Sequence, residues 1–209
     1  MTIVDALLKK IAHLPVVPVV ALNSVEEALN VGRALMAAGL NCIEITFRTA
    51  CAGDCIGAIK KEFPDMIVLA GTVLSVEQAR VAIQMGSDAI VSPAINEAVV
   101  TYCQSQQVAS LPGVCNPQQI EQGIALGLTV LKFFPATVFG GTGFLKAVAP
   151  IYNITFMPTG GITADTWKEF VELSNVACCG GSWIASNQLI AEGKWQEVEE
   201  RARQTLADF

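Results

Sequence analysis

The sequence predicts a (β/α)8 barrel, an α/β fold in which eight parallel strands form a closed cylinder inside a ring of helices. Eight strand-then-helix units follow one another at roughly 20–26 residues, and their short connections indicate parallel strands with right-handed crossovers. Hydrophobic residues make up 52% of the chain and charged residues only 15%, as expected where both faces of a sheet are covered. No GxGxxG motif follows the first strand, which disfavours the alternative, a doubly wound open sheet.

The predicted strands are short apolar segments, rich in β-branched residues and bounded by glycine, proline or polar residues. Because both faces of a barrel strand are buried, near-continuous apolar runs are expected in them. The segments are Val16–Leu22, Cys42–Thr46, Met66–Ala70, Ala89–Ser92, Val108–Leu111, Val130–Phe133, Thr155–Met157 and Val176–Cys179.

Each predicted strand is followed by a segment whose apolar residues recur at helical spacing. Asn23-Ser24 can cap the first of these helices, Gly39 ends it, and Pro117 suits the first turn of a later one. An extra amphipathic helix is predicted before the first strand, over residues 2–13. The helices after the strands are Val25–Ala38, Ala52–Glu62, Val76–Met85, Asn96–Gln106, Pro117–Ala125, Phe144–Val148, Ala164–Leu173 and Trp195–Ala207.

Length and composition indicate a single domain over residues 1–209 and disfavour several classes of function. The net charge is −6 and there is no basic run, so nucleic acid is not expected as a partner. No apolar run approaches a membrane span, and Asp5, Pro15 and Pro18 interrupt any signal-peptide pattern. We therefore expect a cytoplasmic protein without membrane contact.

Metal and cofactor chemistry finds little support in the sequence. The seven cysteines include no CxxC pair and are expected to be small buried hydrophobes in a reducing cytosol. His13 is the only histidine, whereas catalytic zinc sites usually use several. We expect neither a metal nor another cofactor.

Lys132 lies at the end of the sixth predicted strand, among β-forming apolar residues. A lysine inside a buried strand costs several kcal/mol of desolvation. Desolvation disfavours the ammonium form of an amine, so a buried lysine more readily supplies the neutral nucleophile. Lys132 is therefore a candidate for Schiff-base formation. The alternative is a lysine whose amine reaches past the strand end into solvent.

Other polar residues also lie at the carboxyl ends of the predicted strands, where barrel enzymes place their catalytic groups. Glu44 shares one face of the second strand with Cys42 and Thr46, and a buried carboxylate there needs a partner. It can form a structural ion pair with Lys132, or Arg48 at the strand end can neutralise it. The third and fourth strands end in Gly71-Thr72 and Ser92-Pro93.

Two glycine-rich segments follow the seventh and eighth strands: Pro158-Thr-Gly-Gly-Ile-Thr163 and Cys179-Gly-Gly-Ser182. Barrels commonly bind phosphate at these two loops, through backbone N–H groups and helix N-termini. Glycine lets the backbone approach an anion closely, and Thr163 or Ser182 can add a hydroxyl. One glycine pair is also typical of a plain turn, but two pairs in adjacent loops favour an anion site.

Five motifs stand in a specific order along the chain: Glu44-Ile-Thr-Phe-Arg48, Gly71-Thr-Val73, Lys132-Phe-Phe-Pro-Ala136, Pro158-Thr-Gly-Gly161 and Gly180-Gly-Ser182. Together they resemble the 2-keto-3-deoxy-6-phosphogluconate (KDPG) aldolases, also called the KHG/KDPG aldolase family. The resemblance covers nearly the whole chain, starting at Val17-Pro-Val19. It implies a cofactor-free class I aldolase of the Entner–Doudoroff pathway, folded as a (β/α)8 barrel and assembled as a homotrimer.

The resemblance also implies a role for individual residues. Lys132 corresponds to the Schiff-base lysine and Glu44 to the general acid/base, while Arg48 and Thr72 correspond to the site for the pyruvate carboxylate. The implied substrates are KDPG, cleaved to pyruvate and glyceraldehyde 3-phosphate, and 4-hydroxy-2-oxoglutarate (KHG), cleaved to pyruvate and glyoxylate. Pocket lining is implied for Pro93, Phe134 and Thr159, and phosphate binding for Gly160, Gly161, Gly181 and Ser182.

Two other functions stay open on the sequence alone. A sugar-phosphate isomerase or epimerase on the same barrel shares the glycine loops and a carboxylate base but needs no strand lysine. A non-catalytic module that binds phosphorylated ligands needs neither Glu44 nor Lys132.

Two positions depart from the family pattern: Thr137 stands where many members carry an acidic residue, and Ala94 where glycine is common.

Overall fold

A computed structural model describes Leu7, Ile11 and residues 14–209 of the chain. Most of the helix predicted over residues 2–13 therefore lies outside the described residues, and Leu7 and Ile11, which belong to it, are both buried. Within the described part of the chain, no helix has the length and apolar character that crossing a membrane requires.

One eight-stranded sheet, with all its paired strands parallel, forms the centre of the molecule. Its strands are β1 (Val16–Val20), β2 (Cys42–Thr46), β3 (Ile67–Gly71), β4 (Ala89–Ser92), β5 (Ala109–Val114), β6 (Val130–Phe133), β7 (Thr155–Pro158) and β8 (Cys179–Gly181). Strands from β1 to β7 pair with their sequence neighbours, and β1 also pairs with β8. Two isolated parallel bridges, Phe156 with Val176 and Thr159 with Gly180, connect the region of β7 to the region of β8. The eight strands thus form a nearly closed barrel, and the predicted (β/α)8 fold is confirmed.

Helices surround this barrel. Residues 14–209 form α1 (Val25–Ala38), α2 (Ala52–Glu62), α3 (Val76–Gln84), α4 (Glu97–Ser105), α5 (Pro117–Ala125), α6 (Gly141–Val148), α7 (Trp167–Val171), α8 (Asn187–Ala191) and α9 (Trp195–Ala207). Several begin at a polar side chain that accepts a hydrogen bond from a backbone N–H of the first turn, which satisfies an otherwise unpaired donor. These caps are Ser24, Ser75, Asn96, Asn116 and Ser186.

The largest difference from the predicted elements concerns β8. The β-forming residues of Val176–Cys179 suggested a strand there, but Val176 makes only an isolated bridge to Phe156. The strand proper begins at Cys179 and includes Gly180 and Gly181, which pair with β1. The glycine pair predicted as a loop is therefore part of the barrel wall. A side chain on Gly180 would collide with that of Thr159, so only glycine fits where β8 lies beside the end of β7.

Two smaller differences also affect the carboxyl end of the barrel. β5 continues through Pro112-Gly113 to Val114, whereas the sequence predicted an end at Leu111. Gly113 fits there because it faces the backbone carbonyl of Pro93, which leaves no space for a side chain. The short helix α8, which follows β8, was not predicted.

Candidate active site

A cavity of about 580 Å³ opens at the carboxyl ends of the strands, within the size range of small-molecule sites. Residues of β1, β2, β6, β8 and α8, and of the loops after β2, β3, β4, β6, β7 and β8, form its wall. All eleven residues selected from the sequence line it: Glu44, Arg48, Thr72, Pro93, Lys132, Phe134, Thr159, Gly160, Gly161, Gly181 and Ser182. The structure thus brings residues from across the chain into one pocket.

Lys132 and Glu44 form an ion pair inside the barrel. Nζ of Lys132 lies 3.2 Å from Oε1 of Glu44, although three strands separate β2 from β6 in either direction around the barrel. The two side chains therefore reach towards each other from opposite walls. Lys132 is 5% exposed and Glu44 is fully buried, so the alternative of an amine extending into solvent is wrong.

The alternation of side chains along β6 explains why Lys132 faces the interior. Phe133 is fully buried and stacks on Phe144 of α6, with 4.8 Å between ring centroids, so it points outward to the helix layer. Its neighbours in sequence consequently point inward. The ring of Phe134, just beyond the strand, lies 5.2 Å from Nζ of Lys132 and forms part of the pocket wall.

The Glu44 carboxylate is only partly satisfied. Oε1 accepts the hydrogen bond from Lys132, whereas Oε2 is buried and has no hydrogen-bond partner within the described protein. A buried carboxylate oxygen without a donor is costly. Oε2 is therefore available to accept a proton or a hydrogen bond from a molecule in the pocket.

Arg48 lies at the mouth of the pocket. Its side chain is positioned by a hydrogen bond to a residue of β2 and not by an ion pair with a carboxylate. Its Nε donates a hydrogen bond to Oγ1 of Thr46 at 3.0 Å, and that hydroxyl donates to the carbonyl of Val20 at 2.8 Å. No carboxylate pairs with Arg48 within residues 14–209. The alternative that Arg48 neutralises Glu44 is therefore wrong, and the guanidinium keeps donors for an anion.

Thr72, at the end of β3, has a left-handed backbone with φ of +57°. This conformation is unfavourable for a β-branched residue and costs about 1–3 kcal/mol. The flanking hydrogen bonds hold it: the carbonyl of Gly71 accepts from Phe47 at 2.7 Å, and the N–H of Val73 donates to Val91 at 3.1 Å. Thr72, the strained residue, lies in the pocket wall, as do Arg48 and Pro93.

The loop after β7 presents unpaired backbone donors to the pocket. Gly160 and Gly161 have φ of +101° and +78°, a region in which only glycine is free of strain. Within the described chain, the N–H groups of Gly161 and Ser182 donate to no protein acceptor. Free N–H groups from two adjacent loops suit the oxygens of an anion.

Thr137 connects the loop after β6 to this glycine loop. Its N–H and its Oγ1 both donate to the carbonyl of Gly160, each at 3.2 Å. A side chain on Gly161 would collide with Thr137, so the two residues fit together closely. Thr137, which stands where many family members carry an acidic residue, thus supports the glycine loop after β7. It does so without adding a negative charge beside that loop.

Further pocket residues were not selected from the sequence. The N-terminus of α8 reaches the pocket, where Ser186 caps the helix by accepting a hydrogen bond from the N–H of Leu189 at 3.3 Å. A serine placed three residues before the apolar pair Leu189-Ile190 was the available signal for this helix. The residues missed are Val19, Thr46, Ile162, Gly180, Ser186, Asn187 and Gln188.

Five of the seven cysteines are buried, as the sequence predicted, whereas Cys51 and Cys115 are partly exposed. All seven lie among the described residues and are free thiols. Burial, together with the nearby negative charge of Glu44, raises the pKa of the Cys178 thiol to about 12, so this thiol is neutral near pH 7.

In the part of the chain that the structure describes, no three His, Cys, Asp or Glu side chains cluster closely enough to hold a metal ion.

The fold and the pocket together are typical of barrel enzymes that use an interior lysine, paired with a carboxylate, as a nucleophile. The family model for KDPG and KHG aldolases matches residues 5–201. The chain belongs to the KDPG and KHG aldolase family.

Individual relatives agree with this assignment. The 2-dehydro-3-deoxy-phosphogluconate aldolase of Treponema pallidum is 43% identical over 192 residues, which are 91% of each chain. The KHG/KDPG aldolase of Escherichia coli is 35% identical over 92% of this chain and 91% of its own. A solved structure of KDPG aldolase from Legionella pneumophila holds pyruvate as a covalent carbinolamine. It matches with a TM-score of 0.91 and 32% identity, covering 95% of this chain and 97% of that one.

Proposed function

We propose that this protein is a class I aldolase that cleaves KDPG to pyruvate and glyceraldehyde 3-phosphate, as a cytoplasmic homotrimer of the Entner–Doudoroff pathway. The observation that carries the proposal is the buried contact of 3.2 Å between Nζ of Lys132 and Oε1 of Glu44 at the floor of the pocket. A nucleophile and an acid/base group in hydrogen-bond contact are what Schiff-base chemistry needs.

The reaction follows from the positions of these groups. The neutral amine of Lys132 attacks the C2 ketone, and loss of water gives an iminium. Glu44 accepts the proton of the C4 hydroxyl, directly or through a water molecule. The C3–C4 bond then breaks because the iminium accepts its electron pair, which leaves an enamine of pyruvate and releases glyceraldehyde 3-phosphate. Protonation at C3 and hydrolysis free pyruvate and restore the amine.

Arg48 and Thr72 are proposed to bind the carboxylate next to the reacting ketone. A guanidinium can hold a carboxylate through two parallel hydrogen bonds, and Thr46 already fixes Nε of Arg48 at 3.0 Å. Holding the carboxylate in this way places the ketone beside the amine, which lowers the entropic part of the barrier.

Replacing Arg48 with alanine is expected to raise the KM for KDPG by about 10- to 100-fold, because a hydrogen bond to a charged group contributes about 1.5–3 kcal/mol. Arg48→Lys keeps the charge without the paired donors and should lie between alanine and wild type. Steady-state kinetics of pyruvate release measures both. Arg80→Ala, which removes an exposed arginine paired with Glu77 outside the pocket, is the control and should leave KM unchanged.

The two substrates of the family differ in whether they carry a phosphate. The free N–H groups of Gly161 and Ser182 support the phosphorylated one. We expect activity on both, with kcat/KM about 100-fold higher for KDPG than for 4-hydroxy-2-oxoglutarate, since a phosphate gains several charge-assisted hydrogen bonds. A chelator should leave both rates unchanged.

The test is a steady-state comparison of the two substrates in wild type and Ser182→Ala. Loss of the hydroxyl should lower kcat/KM for KDPG and leave that for 4-hydroxy-2-oxoglutarate unchanged. Equal effects on both substrates would argue against a phosphate site at these loops. Isomerisation of a sugar phosphate without release of pyruvate would overturn the proposed function itself.

A further inference from the structure

We infer that Gly71 is a positioning residue whose missing side chain creates the space in which the Glu44 carboxylate lies beside Lys132. The inference rests on the proposed function, because Glu44 is the acid/base of the proposed cleavage. Gly71 ends β3 and pairs with Thr46, two residues beyond Glu44 on β2. Side chains two residues apart point to the same face of a strand, so residues 71 and 44 face the barrel interior together.

The contacts at Gly71 involve the carboxylate directly. A methyl group added to Gly71 would lie 2.7 Å from Cγ and 2.8 Å from Cδ of Glu44, and closer still to Oε1. Carbon atoms do not approach so closely, so the carboxylate would have to move. Oε1 is also the atom that accepts the hydrogen bond from Lys132. A side chain at position 71 therefore displaces the oxygen that holds the lysine.

The backbone gives no separate reason for glycine at this position. Gly71 does not have a positive φ, in contrast to Gly160 and Gly161, so alanine can adopt its conformation. Its carbonyl accepts a hydrogen bond from Phe47 at 2.7 Å, and alanine would keep this bond. The requirement is for space on the interior face, and Glu44 fills that space.

Gly71→Ala is therefore expected to lower kcat by about 100-fold, within the range that general acid–base catalysis contributes. KM should change little, because Arg48 and the glycine loops keep their positions. Lys132 itself is intact, so pyruvate and borohydride should still trap an adduct on it. Gly143→Ala is the matched control, since an added methyl there meets no atom within 4 Å, and it should keep the wild-type kcat.

A double-mutant cycle with Glu44→Ala distinguishes this positioning role of Gly71 from a general structural role. Glu44→Ala empties the space that the methyl group added by Gly71→Ala would enter. In that background, Gly71→Ala should cause no further loss of activity and no further fall in Tm, although it lowers both in wild type. A glycine needed only for strand packing would lower Tm equally in both backgrounds.

Wild-type kcat in Gly71→Ala would overturn the inference, as would an equal fall in Tm with and without Glu44. If the single variant does not fold, the comparison of Glu44→Ala with Glu44→Ala/Gly71→Ala decides the question alone. These outcomes are distinct from failure of the proposed function, which would appear as absence of pyruvate release in the wild-type protein.

Discussion

Replacing Lys132 with alanine is expected to abolish turnover, with kcat at least about 10,000-fold below wild type. Without the amine no iminium can form, and the C3–C4 bond then has no electron acceptor next to it. The residual pocket can bind the substrate but cannot provide the covalent step. Pyruvate release from KDPG, followed with a coupled assay at high enzyme concentration, measures the loss.

The alanine variant also leaves Glu44 as a buried carboxylate without its partner, which costs about 3–5 kcal/mol of stability. Lys132→Arg is therefore the matched control. It keeps a cation beside Glu44 but cannot form a Schiff base at neutral pH, so it should be folded and equally inactive. Measurable turnover in a folded Lys132→Arg variant would show that the reaction does not pass through this amine.

Replacing Glu44 with glutamine is expected to lower kcat by about 100- to 10,000-fold, the range typical of a general acid/base. The amide has the size of the carboxylate and can still accept the hydrogen bond from Lys132, but it cannot take the proton of the C4 hydroxyl. Binding and carbinolamine formation should therefore be affected less than bond cleavage. Single-turnover kinetics with KDPG separates these steps.

Glu169→Gln is the control for this variant, because it removes an exposed carboxylate outside the pocket. It should behave as wild type. A Glu44→Gln enzyme whose kcat lies within a few-fold of wild type would assign the proton transfer to another group. The ion pair with Lys132 would then be structural, the alternative that the sequence alone left open.

Much of the fold was predictable because each unit carries its own local signals. β2, β4 and β6 begin and end at the predicted residues, since their β-forming side chains are bounded by turns or polar residues. β8 was misplaced because glycine has low strand propensity, and only the pairing of Gly180 and Gly181 with β1 makes this segment a strand. Helix α8 spans five residues, too few for a periodic pattern to be visible.

The site was predictable for a different reason. In a parallel barrel the carboxyl ends of all strands meet at one mouth, so polar residues far apart in sequence are brought together by topology alone. The partner of Glu44 was not decided in this way, since Lys132 and Arg48 were both available. The left-handed backbone of Thr72 and the space beside Gly71 depend on contacts between neighbouring strands, which no local pattern records.

The proposed reaction depends on a Schiff base between the interior amine of Lys132 and the ketone of the substrate. Incubation of the wild-type enzyme with pyruvate and borohydride, followed by peptide mass spectrometry, tests it most directly. We expect one adduct per chain on Lys132, heavier by the mass of pyruvic acid less one oxygen atom, and none in Lys132→Arg. An unmodified Lys132, or an adduct on another lysine, would contradict it.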